Sequence, residues 1–95
     1  MKFRRTPRFH KAYQKLPADV QTQADAAFLM FRAGTEPPPF HPLLRIRKMR
    51  GYESIWEGHV TLGYVFTFHI ERGQETSETI YVFRNIDKHD IYNVP

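Results

Sequence analysis

The spacing of hydrophobic residues changes period once along this 95-residue chain. In "TPRFHKAYQKL", Phe9, Ala12, Tyr13 and Leu16 fall at i, i+3, i+4 and i+7, which is one face of a helix. His10, Lys11, Gln14 and Lys15 take the opposite face. Thr6 can cap this helix, and Pro7 suits its first position, where a missing N–H costs no hydrogen bond. Pro17 interrupts and can start a second helix. In "ADVQTQADAAFLMFRAG", Val20, Ala24, Ala27, Phe28 and Phe31 repeat at helical spacing again, and Gly34 is a natural C-cap. Two amphipathic helices with so short a link make an antiparallel hairpin. "TEPPPFHP" then reads as a loop, because three consecutive prolines cannot join a hydrogen-bonded ladder.

After the prolines the period is two. "LLRIRKM" alternates in part. "ESIWEGHV" puts Trp56, Gly58 and Val60 on one face and Ile55, Glu57 and His59 on the other. "GYVFTFHIE" separates Tyr64, Phe66, Phe68 and Ile70 from Val65, Thr67 and His69. "TIYVFRNI" is the last strand, and "MKFRR" can be a first, short one. Gly51, Gly58, Gly63 and Gly73 read as turns or bulges at strand boundaries. The expected order is β-α-α-β-β-β-β, an α+β fold with a helix hairpin on one face of a curved antiparallel sheet. Residues 1–95 are of a length for one domain. The uncovered face of such a sheet is where polar side chains can converge, so strand parity bears on function.

Composition narrows the classes. Cysteine is absent, which excludes disulfides, cysteine zinc sites and thiol nucleophiles. No apolar run approaches the ~20 residues of a membrane span. "MKFRRTPRF" lacks an apolar h-region and a cleavage site, so no signal peptide is read and a cytosolic protein is expected. The net charge of +4 is uneven. Up to Arg50, eleven Lys/Arg stand against three Asp/Glu; from Gly51 on, three stand against seven. A basic half points to an anionic partner, nucleic acid above all, or to a solvated charged face.

The five histidines are His10, His41, His59, His69 and His89. None has metal-ligand spacing, and no P-loop, GxSxG or dinucleotide fingerprint is present. No cofactor and no metal site are expected. Histidine, arginine, lysine and tyrosine on a sheet are sufficient for metal-free RNA cleavage. That reaction needs a base for the 2′-hydroxyl, an acid for the leaving 5′-oxygen and a cation for the phosphorane charge. Histidine has the pKa for either transfer, and arginine can hold a phosphate. His59 shares the outward parity of Glu57. Arg84 and His89 sit at and just beyond the end of the last strand. A joint catalytic role for these three is one reading. The other has His59 on an ordinary wet face and Arg84 in an ion pair with Glu57 or Asp87.

Taken in order, "TPRFHKAYQKLP", "HPL", "GYESIWEGHV", "YVFTF" and "FRNIDKHDIY" resemble the RelE/ParE superfamily of toxins from bacterial toxin–antitoxin systems, over nearly the whole chain. "FRNIDKHDIY" is the most specific part, and "HPL" fits the YafQ-like branch. The resemblance implies a toxin neutralised by a cognate antitoxin protein, acting on messenger RNA in the ribosome, in the bacterial cytoplasm. For the ParE branch it implies inhibition of DNA gyrase instead. A non-catalytic, antitoxin-binding member is a further alternative. It assigns catalytic positions to His41, His59, Arg84 and His89, with Tyr92 as the late aromatic and Tyr64 as a stacking ring. Arg45, Arg47, Lys48 and Arg50, with Arg4, Arg5 and Arg8, would then hold RNA. Two positions depart from the pattern. Val65 stands where many relatives carry an arginine, and Gly63 where the YafQ-like branch carries an acid.

Overall fold

In the computed structural model, which describes residues 2–34, 42–61, 63–74 and 78–95, Thr6 joins the first strand to the first helix. Strand β1 is Lys2–Arg5 and helix α1 is Pro7–Gln14. The Thr6 side chain accepts the Phe9 N–H at 3.1 Å, filling one of the donors that a helix start leaves open. Thr6 also donates its N–H to the Phe83 carbonyl (3.0 Å) and its hydroxyl to the Arg84 carbonyl (3.1 Å). Helix α2 is Ala18–Gly34. The Tyr13 hydroxyl donates to Asp25 Oδ1 at 2.7 Å, and Gln21 Nε2 donates to the Tyr13 carbonyl at 2.9 Å. These bonds clamp the two helices into the expected hairpin. Most of "TEPPPFHP" lies outside the described residues.

The first strand segments after the prolines are shorter than their sequence patterns imply, and the last two match theirs to within two residues at either end. Pro42–Leu44 is a 3-10 turn, and β2 is only Arg47–Lys48. Arg45 has a left-handed backbone, φ 48°, which an extended ladder cannot contain. Strands β3 (Trp56–His59), β4 (Val65–Arg72) and β5 (Thr79–Asp87) follow. The sheet order is β1-β5-β4-β3-β2. The β2–β5 part is an antiparallel meander, as expected, while β1 pairs parallel with β5, Phe3 opposite Tyr81. The five-stranded sheet is therefore mixed, because the helix hairpin carries the chain from β1 over one face before the meander begins.

Aromatic rings fill the space between helices and sheet. Phe9, Phe28 and Phe31 from the helices meet Phe66, Phe68, Tyr81 and Phe83 from the strands, all buried. The Phe31 ring centre lies 5.0 Å from that of Phe68 and 5.2 Å from those of Tyr81 and Phe83. Each fully buried Phe contributes about 1.5–3 kcal/mol of transfer free energy. Gly58 belongs to this packing and not to a boundary. It is mid-strand in β3, and a Cβ there would meet Phe66 Cζ at 2.3 Å.

One irregularity decides which residues of β5 face which side. Thr67 pairs with Asn85, yet Phe68 pairs with Phe83, so Arg84 is an extra residue on β5. Phe83 and Ile86 both reach the helix-side core, although simple alternation would send them to opposite faces. The bulge lets Arg84 and Asn85 both lie on the side away from the helices. A second 3-10 turn, His89–Tyr92, follows β5 and packs against β4 and β5.

Candidate functional site

Across the helix-free face of the sheet the register aligns Arg47, Glu57, Thr67 and Asn85 on neighbouring strands. Glu57, Thr67 and Asn85 are 1%, 0% and 7% exposed. Polar groups this deep require partners. The last residues of the chain supply most of them. Thr67 Oγ1 donates to the Pro95 carbonyl at 3.2 Å, and Asn85 Nδ2 donates to the Val94 carbonyl at 2.9 Å. The Arg8 guanidinium binds the same Val94 carbonyl. Val94 and Pro95 thus fold back over the middle of the open face. Tail backbone carbonyls, not another sheet, satisfy the polar row.

Glu57 is held differently. Its Oε1 accepts from Arg47 Nε, while Oε2 is buried and has no hydrogen-bond partner among the described residues. The Arg47 side chain is 69% exposed and covers the carboxylate from outside. Tyr92 closes the other side. Burial, and then its hydrogen bond with Glu57, raises the Tyr92 phenol pKa, while the hydrogen bond and charge of Arg47 oppose the rise. The hydrogen bond that Arg47 donates to Glu57 raises the pKa of Arg47. A cavity of about 460 Å³ opens here, lined by Arg47, Lys48, Arg50, Glu57 and Tyr92.

His59 lies two residues along β3 on the same face, about 7 Å from Glu57 by strand geometry. It is half-buried, and it lines a second hollow of about 270 Å³ with Pro42, Leu43, Arg45, Val60 and Thr61. Burial lowers its pKa from the usual 6.5, and the charges of Arg45 and Arg47 lower it further, while Glu57 and the Leu44 backbone work the other way. Its Nδ1 is buried and unpartnered among the described residues. The imidazole is thereby kept as a neutral base at neutral pH. Arg45 reaches this site through its left-handed backbone, a conformation that costs about 1–3 kcal/mol in a non-glycine residue.

Arg84 belongs to another cluster. Its Nη1 meets His69 Nδ1 at 2.9 Å and its Nε donates to the Pro95 carbonyl at 3.3 Å. Arginine can only donate, so His69 Nδ1 accepts and its Nε2 carries the hydrogen that meets Glu71 Oε1 at 3.1 Å. Arg4 Nη2 reaches both Glu71 oxygens, at 3.0 and 2.9 Å. The bond with His69, then the Arg4 charge, lowers the Glu71 pKa. Arg84 is therefore paired neither with Glu57 nor with Asp87. It is two strand spacings from His59, about 10 Å across the sheet, and three residues along β5 from Asp87, the register position of His59, with the tail on the strand between.

The remaining expected residues spread over three places. Tyr92 ends the second 3-10 turn, 37% exposed, beside Glu57. His89 opens that turn, which puts it four residues of backbone from the tail; His41 lies outside the described residues. Arg47, Lys48 and Arg50 share the Glu57 cavity, and Lys48 also sits over the Trp56 ring at 5.7 Å. Arg4 and Arg5 diverge by strand parity. Arg5 stacks over Phe9, Tyr13 and Phe28 on the helix side, away from the histidines. Tyr64 is in a third hollow, of about 820 Å³, with Arg8, Lys11, Lys15 and Lys88, whose Nζ is 5.7 Å from the ring. Sequence reasoning passed over Glu57 and His69. Their outward parity was visible, but the row and the tail that give them partners come from residues far away in sequence.

Neither a protein-family model nor a curated protein matches the sequence. Solved structures share its fold. The YoeB/ParE toxin from Agrobacterium tumefaciens matches with a TM-score of 0.68 at 16% identity, over 94% of this chain and 99% of that one. A chain of the E. coli DinJ–YafQ toxin–antitoxin complex matches at 0.69 and 10% identity, over 95% and 93%. A chain of the RelB–RelE antitoxin–toxin complex from Methanococcus jannaschii matches at 0.61 and 16%, over 98% and 95%. The α+β fold of the RelE, YafQ, YoeB and ParE toxins thus extends over nearly all of this chain at low sequence identity.

Proposed function

We propose that this chain is the toxin of a type II toxin–antitoxin pair, an endoribonuclease that cuts messenger RNA on the ribosome without a metal. The observation that carries the reading is His59. It is a neutral, half-buried imidazole with Arg45 and Arg47 beside it, on the open face of a fold shared with RelE and YafQ toxins. In the proposed reaction His59 takes the proton of a 2′-hydroxyl. The 2′-oxygen attacks the adjacent phosphorus and the bond to the 5′-oxygen breaks. His89, three residues before Tyr92, gives the leaving oxygen its proton. The products are a 2′,3′-cyclic phosphate and a 5′-hydroxyl. Arg45 stabilises the phosphorane charge. Arg84 would hold a neighbouring phosphate, exchanging the Pro95 carbonyl for a phosphate oxygen. His41 is proposed as a further substrate contact on the strength of the family resemblance alone.

The partners of this reading are a cognate antitoxin, messenger RNA and the bacterial ribosome, in the cytoplasm. Ribosome-dependent primer extension tests it. His59→Ala and His89→Ala should each lower cleavage by about 10²–10⁴-fold, the usual weight of one acid or base. Circular dichroism should show both variants folded. Full growth arrest by a folded His89→Ala protein would remove the acid from that residue. Gyrase supercoiling that is blocked by the purified protein would replace the ribonuclease reading with the ParE one.

A further inference from the structure

The proposed cleavage uses His59 and leaves Glu57 without a task. A carboxylate that is 1% exposed, with one oxygen unpartnered among the described residues, is costly unless something completes it. The fold surrounds it with a cavity of about 460 Å³, within the range of small-ligand sites. The walls are a tyrosine ring, two arginines, Arg47 and Arg50, and Lys48, whose Nζ lies over the Trp56 ring and not in the hollow. That set has the chemistry of a nucleotide pocket: a ring for stacking, cations for phosphate and an acceptor for a base edge.

We infer that this hollow reads a guanine of single-stranded RNA, with Glu57 as the specificity-determining residue. The inference rests on the ribonuclease reading only for the identity of the polymer. An ionised carboxylate accepts and never donates. Guanine alone among the four bases offers two adjacent N–H donors, N1–H and the 2-amino group, on its Watson–Crick edge. Those two match the two oxygens of Glu57. The neighbouring O6 accepts from the guanidinium of Arg47, which is already beside the carboxylate. Adenine and cytosine give this carboxylate one donor each. Uracil sets a carbonyl on both sides of its single N–H, so one carbonyl oxygen would face a carboxylate oxygen. Entry needs no backbone movement: Arg47 and Tyr92, the two covers, are exposed side chains. The pocket and His59 share one face of β3, about 7 Å apart, so the base read lies next to the bond cut.

The test is a titration of the purified full chain, followed by backbone-amide NMR shifts, with GMP, IMP and UMP at one low salt concentration. GMP should bind about tenfold tighter than IMP, which lacks the 2-amino group, and tighter still than UMP. Equal affinity of the wild-type protein for GMP and UMP overturns the inference, whatever any variant does. Glu57→Gln, checked by its amide spectrum for folding, should erase the GMP preference; a preserved preference also overturns it. A six-nucleotide RNA with one guanine should bind tighter than GMP, because its further phosphates reach Arg50 at the rim of the hollow. Equal binding would assign the pocket to a free guanine nucleotide and overturn the RNA claim. None of these readouts uses cleavage. A protein that prefers GMP but cuts nothing refutes the ribonuclease reading and keeps the pocket. One that cuts messenger RNA without any GMP preference does the reverse.

Discussion

A Cβ at position 58 would sit 2.3 Å from Phe66 Cζ and 2.7 Å from Ile46 Cδ1. Phe66 is fully buried among other rings and cannot yield cheaply. Gly58→Ala should therefore destabilise the protein by about 1–3 kcal/mol, read from urea unfolding. A neutral result would show the Phe66 ring to be free to move. His59 is the residue with the clearest dependence on pH. Its pKa in the folded protein is below 6.5, so the unfolded chain binds a proton that the folded chain resists. Its share of stability is complete above pH 6.5 and is lost as pH falls through the lowered folded value. Arg45 contributes to that lowering, with Arg47 on the same side and Glu57 opposed. Arg45→Gln should move the acid limb of the cleavage rate to higher pH, as well as slowing the reaction. An unmoved limb in single-turnover profiles would show that His59 is not the base.

At the scale of elements, the bulge in β5 does the most. Without it, "FRNI" would alternate and present Ile86 to the tail side. With Arg84 as the extra residue, Ile86 packs in the helix-side core and is 1% exposed. Ile86→Ala should then cost about 2–5 kcal/mol, as a core truncation does. A loss below about 0.5 kcal/mol, typical of surface sites, would mean that the strand has no bulge. The same bulge brings Arg84 to His69 and Asn85 to the Val94 carbonyl. Bulges beside functional faces commonly re-aim side chains in this manner. The strand between helix hairpin and tail is thus built to serve two faces at once.

For the whole molecule, charge is arranged by face. Arg45 is exposed beside His59 and Arg50 beside Glu57, whereas Arg5 is spent on the rings of the helix side and Lys48 on Trp56. Binding to single-stranded RNA should weaken linearly on a log–log plot against salt. Arg50→Gln should reduce that slope by about 0.7, the value that one neutralised phosphate carries on a single strand. Filter binding at several salt concentrations measures it, and an unchanged slope would take Arg50 out of the RNA path. Much of this architecture was legible beforehand. Phe9, Ala12, Tyr13 and Leu16, and then Val20, Ala24, Ala27, Phe28 and Phe31, announced two helices because a packed helix repeats its buried side every 3.6 residues. The outward parity of Glu57 and His59 was legible for the same local reason.

What lay beyond the sequence depends on partners far along the chain. The sequence by itself determined the two helices, the existence of the later strands, and which residues of β3 and β4 point away from the core, because periodicity is a property of neighbours. Only the tertiary structure decided that β1 lies parallel to β5, that Arg84 is an extra residue, and that Thr67 and Asn85 are buried under residues 94 and 95. It also separated Arg84 from His59 and put Arg47 and Tyr92 around Glu57. Each of these is a hydrogen bond or a register between residues nine to seventy-eight apart, and no local pattern encodes which distant carbonyl or guanidinium will arrive.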